Sequence, residues 1–105
     1  MQKILPKPIA FEWDKGNLDK NLKTHKIDFR ETEEVFLNRP LKTFSDKQHS
    51  MVEKRFQALG TTNQHRKLSI FFTIRNGRIR IISARDQNKR ERRKYEAKIQ
   101  EDTKI

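Results

Sequence analysis

The chain has 105 residues and a formal net charge of +11, with 32% hydrophobic and 37% charged residues. This length and composition predict one small domain with a thin core, and the lack of cysteine excludes disulfides, thiolate metal sites and a cysteine nucleophile. No apolar run approaches the roughly 20 residues that span a bilayer, so the charge favours a nucleic-acid partner over acidic proteins or a membrane surface.

The N-terminal segment is predicted to be a flexible arm over residues 1–10, since it contains two prolines, followed by a single domain over residues 11–105. It lacks the long apolar stretch of a signal peptide. Residues 11–14 are expected to form a short strand that enters a helix, with Asp14 as the N-cap.

Two helices are predicted next. Leu18 and Leu22, four residues apart, indicate the buried stripe of the first helix, over residues 17–26. Asp28 and Glu31 have capping-box spacing at the start of the second helix. The apolar face of this second helix is formed by Phe29, Val35 and Phe36. The Asn-Arg-Pro sequence that follows ends it, because proline removes a backbone donor.

The middle of the chain is predicted to form strands over residues 42–45, 55–60, 68–75 and 78–84. Asn76-Gly77 joins the last two, and this pair is the strongest short-range signal for a type I′ hairpin. The turn sets a register that pairs Arg75 with Arg78, Phe71 with Ile82 and Ile70 with Ser83. One face of the hairpin is then apolar, with Ile70, Phe72, Ile74, Ile79 and Ile81. The other carries Thr73, Arg75, Arg78 and Arg80.

Positive charge is concentrated after the hairpin turn. Eight Lys or Arg residues and two acidic residues lie between Arg78 and Tyr95. A third helix is predicted over residues 86–101, anchored by Tyr95 and Ile99. Arg75 opposite Arg78 destabilises a sheet unless an anion binds across that face, although three solvated arginines that protect an edge hairpin would give the same pattern.

Four blocks of this sequence resemble the BrnT family of toxins. They are Phe11-Glu12-Trp13-Asp14 with Asn21 and His25; Asp46, His49, Ser50, Glu53 and Arg55 followed by Gly60; Arg80-Ile81-Ile82-Ser83-Ala84-Arg85; and Arg90-Glu91-Arg92-Arg93 with Tyr95. The blocks occur in order and cover residues 11–95. The resemblance implies a small RelE-like α+β fold: a curved antiparallel sheet with two N-terminal helices packed on one face, and a C-terminal helix.

The resemblance also implies a cytoplasmic ribonuclease that blocks translation and is held in a hetero-oligomer by a BrnA-like antitoxin with a ribbon-helix-helix domain. The alternatives are a gyrase-directed ParE-like toxin, a non-catalytic nucleic-acid-binding module and an inactive relic that still holds an antitoxin. The three histidines, His25, His49 and His65, are too scattered for a metal site. No cofactor is therefore expected.

Metal-free RNA cleavage needs a base for the 2′-hydroxyl, an acid for the leaving oxygen and cations for the phosphate. Similarity to RelE-like toxins points to Arg85 and Arg55 as phosphate ligands and to Tyr95 in the last helix. Candidate acid or base groups are Glu53, His49 and Lys54. Candidate RNA contacts are Arg75, Arg78, Arg80, Lys54 and Arg90.

Structural alternatives exist for several of these side chains. Arg85 can instead form a salt bridge with Glu91 or Glu53. Glu53 can simply orient Arg55, which we favour over a catalytic role. Trp13 is expected to be a core residue rather than a platform for a base.

Overall fold

The computed structural model describes residues 5–47 and 53–103, apart from the side chains of Asn17 and Leu18. The elements in chain order are β1 (Phe11–Glu12), α1 (Lys15–His25), α2 (Phe29–Leu37), β2 (Lys42–Ser45), β3 (Phe56–Thr61), β4 (Lys67–Arg75), β5 (Arg78–Asp86) and α3 (Lys89–Thr103). The strands form one sheet in the order β1-β5-β4-β3-β2. Within the described residues, no helix is long and apolar enough to cross a bilayer.

Three helices and one sheet confirm the expected α+β class. The sheet is mixed, however, and not purely antiparallel. Strands β2 to β5 pair antiparallel, whereas β1 pairs parallel with β5. A parallel pair requires a long crossover connection, and both N-terminal helices and three strands lie between β1 and β5 in the chain.

The hydrophobic core lies on the sheet face that α1 and α2 cover, called here the core face. Phe36 of α2 packs edge-on against Phe72 of β4, with ring centroids 5.1 Å apart. Both side chains are fully buried. Trp13 packs against this core, as expected, and its indole Nε1 donates a 2.8 Å hydrogen bond to Glu33.

The predicted N-caps Asp14 and Asp28 are confirmed, although α1 begins at Lys15 rather than at residue 17. Asp14 accepts a 2.8 Å hydrogen bond from the Gly16 N–H at the start of α1. The Asp28 carboxylate accepts from the Arg30 N–H at 2.9 Å, and Glu31 accepts from the Asp28 N–H at 3.0 Å. These bonds satisfy amide groups that a helix leaves without intrahelical partners.

The buried face of α1 differs from the predicted leucine stripe. Leu22 is 52% exposed, whereas its neighbour Asn21 is 3% exposed. The Asn21 Oδ1 accepts a hydrogen bond from the Ala84 N–H of β5 at 3.3 Å. Leucine spacing mispredicts this face because α1 places a polar side chain against the backbone of β5.

The hairpin turn is of the predicted type, with positive φ at Asn76 (53°) and Gly77 (71°). The predicted register is confirmed from Arg75↔Arg78 to Phe72↔Ile81. Beyond that point it is wrong, because Phe71 pairs with Ser83 rather than with Ile82. Ile82 is the extra residue of a β-bulge, so every later residue of β5 is displaced by one position and changes face.

The third helix begins at Lys89 rather than at residue 86. β5 extends to Asp86, and Asn88 caps the helix by accepting a 2.8 Å hydrogen bond from the Glu91 N–H. The Glu91 side chain accepts in return from the Asn88 N–H at 3.0 Å. This reciprocal pair is a capping box with asparagine at the N-cap, a sequence signal that the prediction of residue 86 overlooked.

The described part of the predicted N-terminal arm packs against the domain. Leu5 is 7% exposed and belongs to the core, and Ile9 packs against the same core. The Ala10 carbonyl accepts a 2.8 Å hydrogen bond from the Ile79 N–H. The apolar side chains of Leu5 and Ile9, which flank the two prolines, therefore contact the core, whereas the sequence predicts a flexible arm here.

We predict that Gly60→Ala destabilises the fold. A Cβ atom at position 60 would lie 2.8 Å from Val35 Cγ1 of α2, so the helix or the strand must move. Overpacking of this kind costs about 1–3 kcal/mol of unfolding free energy, which urea denaturation measures. In a Val35→Ala background the second substitution should cost less. An equal cost in both backgrounds would show that this contact is not the cause.

Candidate nucleic-acid interface

The sheet face opposite α1 and α2 carries the candidate residues and is called here the site face. The register places Phe71 and Thr73 of β4 and Ser83 and Arg85 of β5 on this face. Helix α3 covers its other half, over β3 and β2, where Leu59 is fully buried. Among the described residues, no helix covers the strip of β4 and β5 on this face beside the start of α3, called here the open strip.

Arg85 reaches the site face because of the β-bulge. In a regular continuation of the hairpin, Arg85 would stand opposite Leu68, whose side chain is fully buried on the core face. With the extra residue Ile82, Arg85 stands opposite Ser69 and Ala84 takes the core position opposite Ile70. The bulge thus puts the small apolar residue in the core and the cation on the opposite face.

The Arg85 guanidinium is held at one edge by Glu91 of α3. Its Nη1 donates to Glu91 Oε1 at 2.6 Å, and its Nη2 donates to Oε2 at 2.8 Å. Nη1 also reaches the Asp86 carbonyl at 3.3 Å, and the group lies 5.8 Å from the centroid of the Phe71 ring. The salt bridge weighed as an alternative for Arg85 is therefore present, and its partner is Glu91.

Glu91 does not occupy the whole guanidinium. Arginine offers five N–H groups along two edges, and the second edge consists of Nε and the remaining hydrogen of Nη2. Among the described residues this second edge makes no hydrogen bond, and the Arg85 side chain is 35% exposed. An edge with two parallel N–H donors is the geometry that binds a phosphate bidentately.

Among the described residues, Glu91 is the carboxylate of this face with the most hydrogen bonds. Besides Arg85 and the Asn88 N–H, it accepts from Gln57 Nε2 at 2.8 Å and from Ser69 Oγ at 3.2 Å. Burial acts to raise the pKa of Glu91, but hydrogen bonds from Arg85, Asn88 and Ser69 outweigh it and leave the pKa below its ordinary value. Glu91 therefore stays ionised at neutral pH although its side chain is only 10% exposed.

The hairpin end of the site face carries exposed cations and a chain segment that lies across it. The Thr73 hydroxyl donates to the Lys54 carbonyl at 2.7 Å, which fixes residues 53–55 over β4. Glu53 accepts from Arg75 at 3.0 Å, so it has an arginine partner other than the expected Arg55. Lys54 and Arg78 are exposed.

Arg80 has two acidic partners from the N-terminal part of the chain. Its Nη1 lies 3.3 Å from Glu12 of β1, and its Nη2 lies 3.2 Å from Asp14. The parallel pairing of Glu12 with Arg80 brings these groups together. Arg80 therefore adds less uncompensated charge to the site face than Arg78.

Tyr95 lies beneath α3 rather than on the open strip. It is 2% exposed, and its hydroxyl donates a 2.6 Å hydrogen bond to the Pro40 carbonyl. Burial raises the pKa of Tyr95, a trend that a hydrogen bond with Thr61 opposes. In this arrangement the phenol anchors the helix and has no open path to a phosphate.

The remaining candidates lie at the margins of the strip or beyond the described residues. Arg55 directly precedes β3 and is half-buried, and its carbonyl accepts from the Asp46 N–H at 2.9 Å. Arg90 is exposed in the first turn of α3. His49 lies outside the described residues. Gln57 and Ser69 are not predictable site residues, since neither belongs to a motif and only the packing of α3 brings them to Glu91.

Three comparisons bear on the identity of the chain. A family model described as "Ribonuclease toxin, BrnT, of type II toxin-antitoxin system" matches residues 13–91. This span is most of the chain and contains the bulge, Arg85 and Glu91. The chain belongs to the BrnT family. It is therefore a ribonuclease toxin of a type II toxin–antitoxin system, a class that acts on RNA and has an antitoxin partner.

The fold agrees with this family membership. The crystal structure of the Brucella abortus ribonuclease toxin BrnT matches with a TM-score of 0.60 and 21% sequence identity, covering 77% of this chain and 99% of that chain. No curated protein gives a significant match to the sequence. Among residues 5–47 and 53–103, no three His, Asp or Glu side chains are grouped as metal ligands.

We predict that part of the stabilisation from Glu91 is lost in acid. The pKa of Glu91 is lowered by folding, so its contribution is complete above the unfolded value of about 4.3 and disappears as the pH falls through the folded value. Glu91→Gln should cost about 1–3 kcal/mol of unfolding free energy at pH 7 and less at pH 3. Urea unfolding of both proteins at each pH measures this difference, and a cost independent of pH would contradict it.

Proposed function

We propose that this toxin cleaves RNA without a metal ion, at a site centred on Arg85. The 2′-hydroxyl oxygen attacks the adjacent phosphorus, the bond from phosphorus to the 5′-oxygen breaks, and a 2′,3′-cyclic phosphate and a 5′-hydroxyl result. One group accepts the 2′ proton and another donates a proton to the leaving oxygen. Arg85 stabilises the negative charge of the pentavalent phosphate.

The observation that carries this proposal is the half-occupied guanidinium of Arg85. One edge is fixed by the two hydrogen bonds that it donates to Glu91, and the other is unpaired among the described residues. A cation that is oriented beforehand stabilises a transition state without the cost of reorganisation during the reaction. A guanidinium bound at both edges would be only a structural ion pair.

Exposed cations around the strip supply RNA contacts. Arg75, Arg78, Lys54 and Arg90 are exposed on the hairpin, the preceding segment and the first turn of α3. Cations in the first turn of a helix are disfavoured by the helix dipole, so a polyanion at this surface would offset a local cost. Their positions suit backbone contacts that bind RNA with little sequence preference.

The base and the acid are proposed to be among His49, Glu53 and Lys54. Thr73 holds Lys54 over β4, and Glu53 reaches Arg75 on the same face. A histidine suits proton transfer near neutral pH, which makes His49 the preferred base. The paired carboxylate of Glu53 is then a positioning group for the substrate-binding arginine.

The consequences in the cell follow from this chemistry. RNA cleavage blocks translation and arrests growth. Because RNA is translated in the cytoplasm, the toxin is proposed to act there. We propose a BrnA-like antitoxin with a ribbon-helix-helix domain as the neutralising partner. Support comes from family membership and from the exposed cations, which suit an acidic segment. Failure of the protein encoded beside this toxin to bind it would contradict that partner.

We predict that Arg85→Ala lowers the rate of RNA cleavage by at least about 100-fold, because the phosphate loses its oriented cation. The measurement is cleavage of a generic RNA by the purified protein in excess EDTA. Arg30→Ala is the matched control, since Arg30 is exposed on α2, which packs on the core face.

Three outcomes would count against the proposal. Normal cleavage by Arg85→Ala would contradict the site. Cleavage by the wild type that stops on adding EDTA would contradict only the metal-free mechanism. Steeply salt-dependent RNA binding without cleavage would favour a non-catalytic module.

We also predict that Arg78→Ala weakens RNA binding without changing sequence preference. Loss of one phosphate contact should reduce the slope of log affinity against log salt by about 1. Arg80→Ala should change the slope less, because Arg80 is already paired with Glu12 and Asp14. Titration of a fluorescent 2′-O-methyl RNA at several salt concentrations tests this, and equal changes for both variants would contradict it.

A further inference from the structure

We propose that Glu91 is a positioning residue for the cleavage reaction, acting through Arg85. This inference rests on the proposed function, since it concerns the rate of that reaction. Glu91 lies on α3, and the four other residues that contribute its donors come from β3, β4, β5 and the turn before the helix. Its carboxylate therefore fixes the orientation of Arg85 relative to the sheet.

The two carboxylate oxygens of Glu91 accept hydrogen bonds from different donors. Oε1 accepts from the Asn88 N–H and from Arg85 Nη1. Oε2 accepts from Arg85 Nη2, Gln57 Nε2 and Ser69 Oγ. Capping of α3 uses Oε1 alone, whereas the bidentate hold on Arg85 needs both oxygens.

Because the cap uses one oxygen and the hold on Arg85 uses both, a substitution can test the structural and the positioning role of Glu91 separately. Glutamine also serves at the third position of a capping box, so Glu91→Gln can keep the cap through its one oxygen. Its NH₂ group, however, must face either Arg85 Nη1 and the Asn88 N–H or the donors around Oε2. The variant therefore keeps the size and the cap of Glu91 but loses the bidentate pair.

Loss of the bidentate pair also affects the second edge of the Arg85 guanidinium, because the Phe71 ring that lies beside the group makes no hydrogen bond to hold it. The guanidinium lies beside the Phe71 ring at 5.8 Å and has no other side-chain hydrogen bond within the described residues. Without both oxygens the group can rotate along the ring, and its open edge then has no fixed direction. Misplacement of a catalytic group by about 1 Å can cost about 100-fold in rate.

The experiment compares two variants that disturb the start of α3 in different ways. Glu91→Gln should lower kcat for RNA cleavage at pH 7 by about 10- to 100-fold, with KM changed less than threefold. Asn88→Ala removes the cap that Glu91 N–H uses but leaves the bidentate pair, so it should lower the urea midpoint and change kcat less than twofold. Single-turnover cleavage and urea unfolding are measured for both.

A double-mutant cycle supplies a readout that a purely structural role would not move. Lysine at position 85 has a single ammonium group and cannot use two edges. In an Arg85→Lys background, Glu91→Gln should therefore change the remaining single-turnover rate less than twofold. An equal loss in both backgrounds would overturn the inference.

The other outcomes are also decisive. Loss of kcat in proportion to loss of stability for both Glu91→Gln and Asn88→Ala would overturn the inference and assign Glu91 a structural role. Faster cleavage by Glu91→Gln would overturn it as well, since Glu91 would then restrain Arg85. Absence of cleavage by the wild type would overturn the proposed function and the inference with it, whereas normal cleavage by Glu91→Gln beside an inactive Arg85→Ala would overturn the inference alone.

Discussion

The ion pair between Glu91 and Arg85 links the last helix to the surface that the sheet leaves open. A carboxylate that is only 10% exposed would be costly without compensation, and here five donors compensate it. Because these donors come from three strands and the turn before α3, they hold the start of the helix against the sheet. In this position the helix covers only half of the site face, and Arg85 lies at that boundary. Packing of the helix and exposure of the arginine are therefore two consequences of one cluster.

The β-bulge is the second constraint, and it explains a feature of α1. A strand residue changes face when the register moves by one position, so the extra residue Ile82 is what separates Ala84 in the core from Arg85 on the site face. The Asn21 side chain packs beside the bulge and accepts from the Ala84 N–H. A buried asparagine on α1 is thus tied to the placement of an arginine 64 positions later in the chain.

Charge is distributed unevenly over this basic protein. Arg66 donates to Asp86 at 2.7 Å and to the carbonyls of Lys26 and His25 at 2.9 and 3.0 Å, joining the end of α1 to β5. Arg80 is similarly paired with acidic groups. The cations of the hairpin end and of the first turn of α3 are more exposed. The fold therefore compensates cations that it uses for structure and leaves solvent-facing ones at the surface where RNA is proposed to bind.

The sequence predicted both N-terminal helix caps, the type I′ turn and the first half of the hairpin register, because each depends on residues that are near one another in the chain, and it predicted the class of the fold through the resemblance to a known family. It also carried the four blocks that identify the family. It did not predict the bulge, the exposure of Leu22, the burial of Leu5 or the start of α3. Nor did it place the candidate site: Glu53 pairs with Arg75, Tyr95 is buried, and one edge of Arg85 has no partner among the residues that the structure describes. These features depend on tertiary structure. The register of a strand, and whether a side chain forms a salt bridge or faces solvent, depend on which distant part of the chain packs against them.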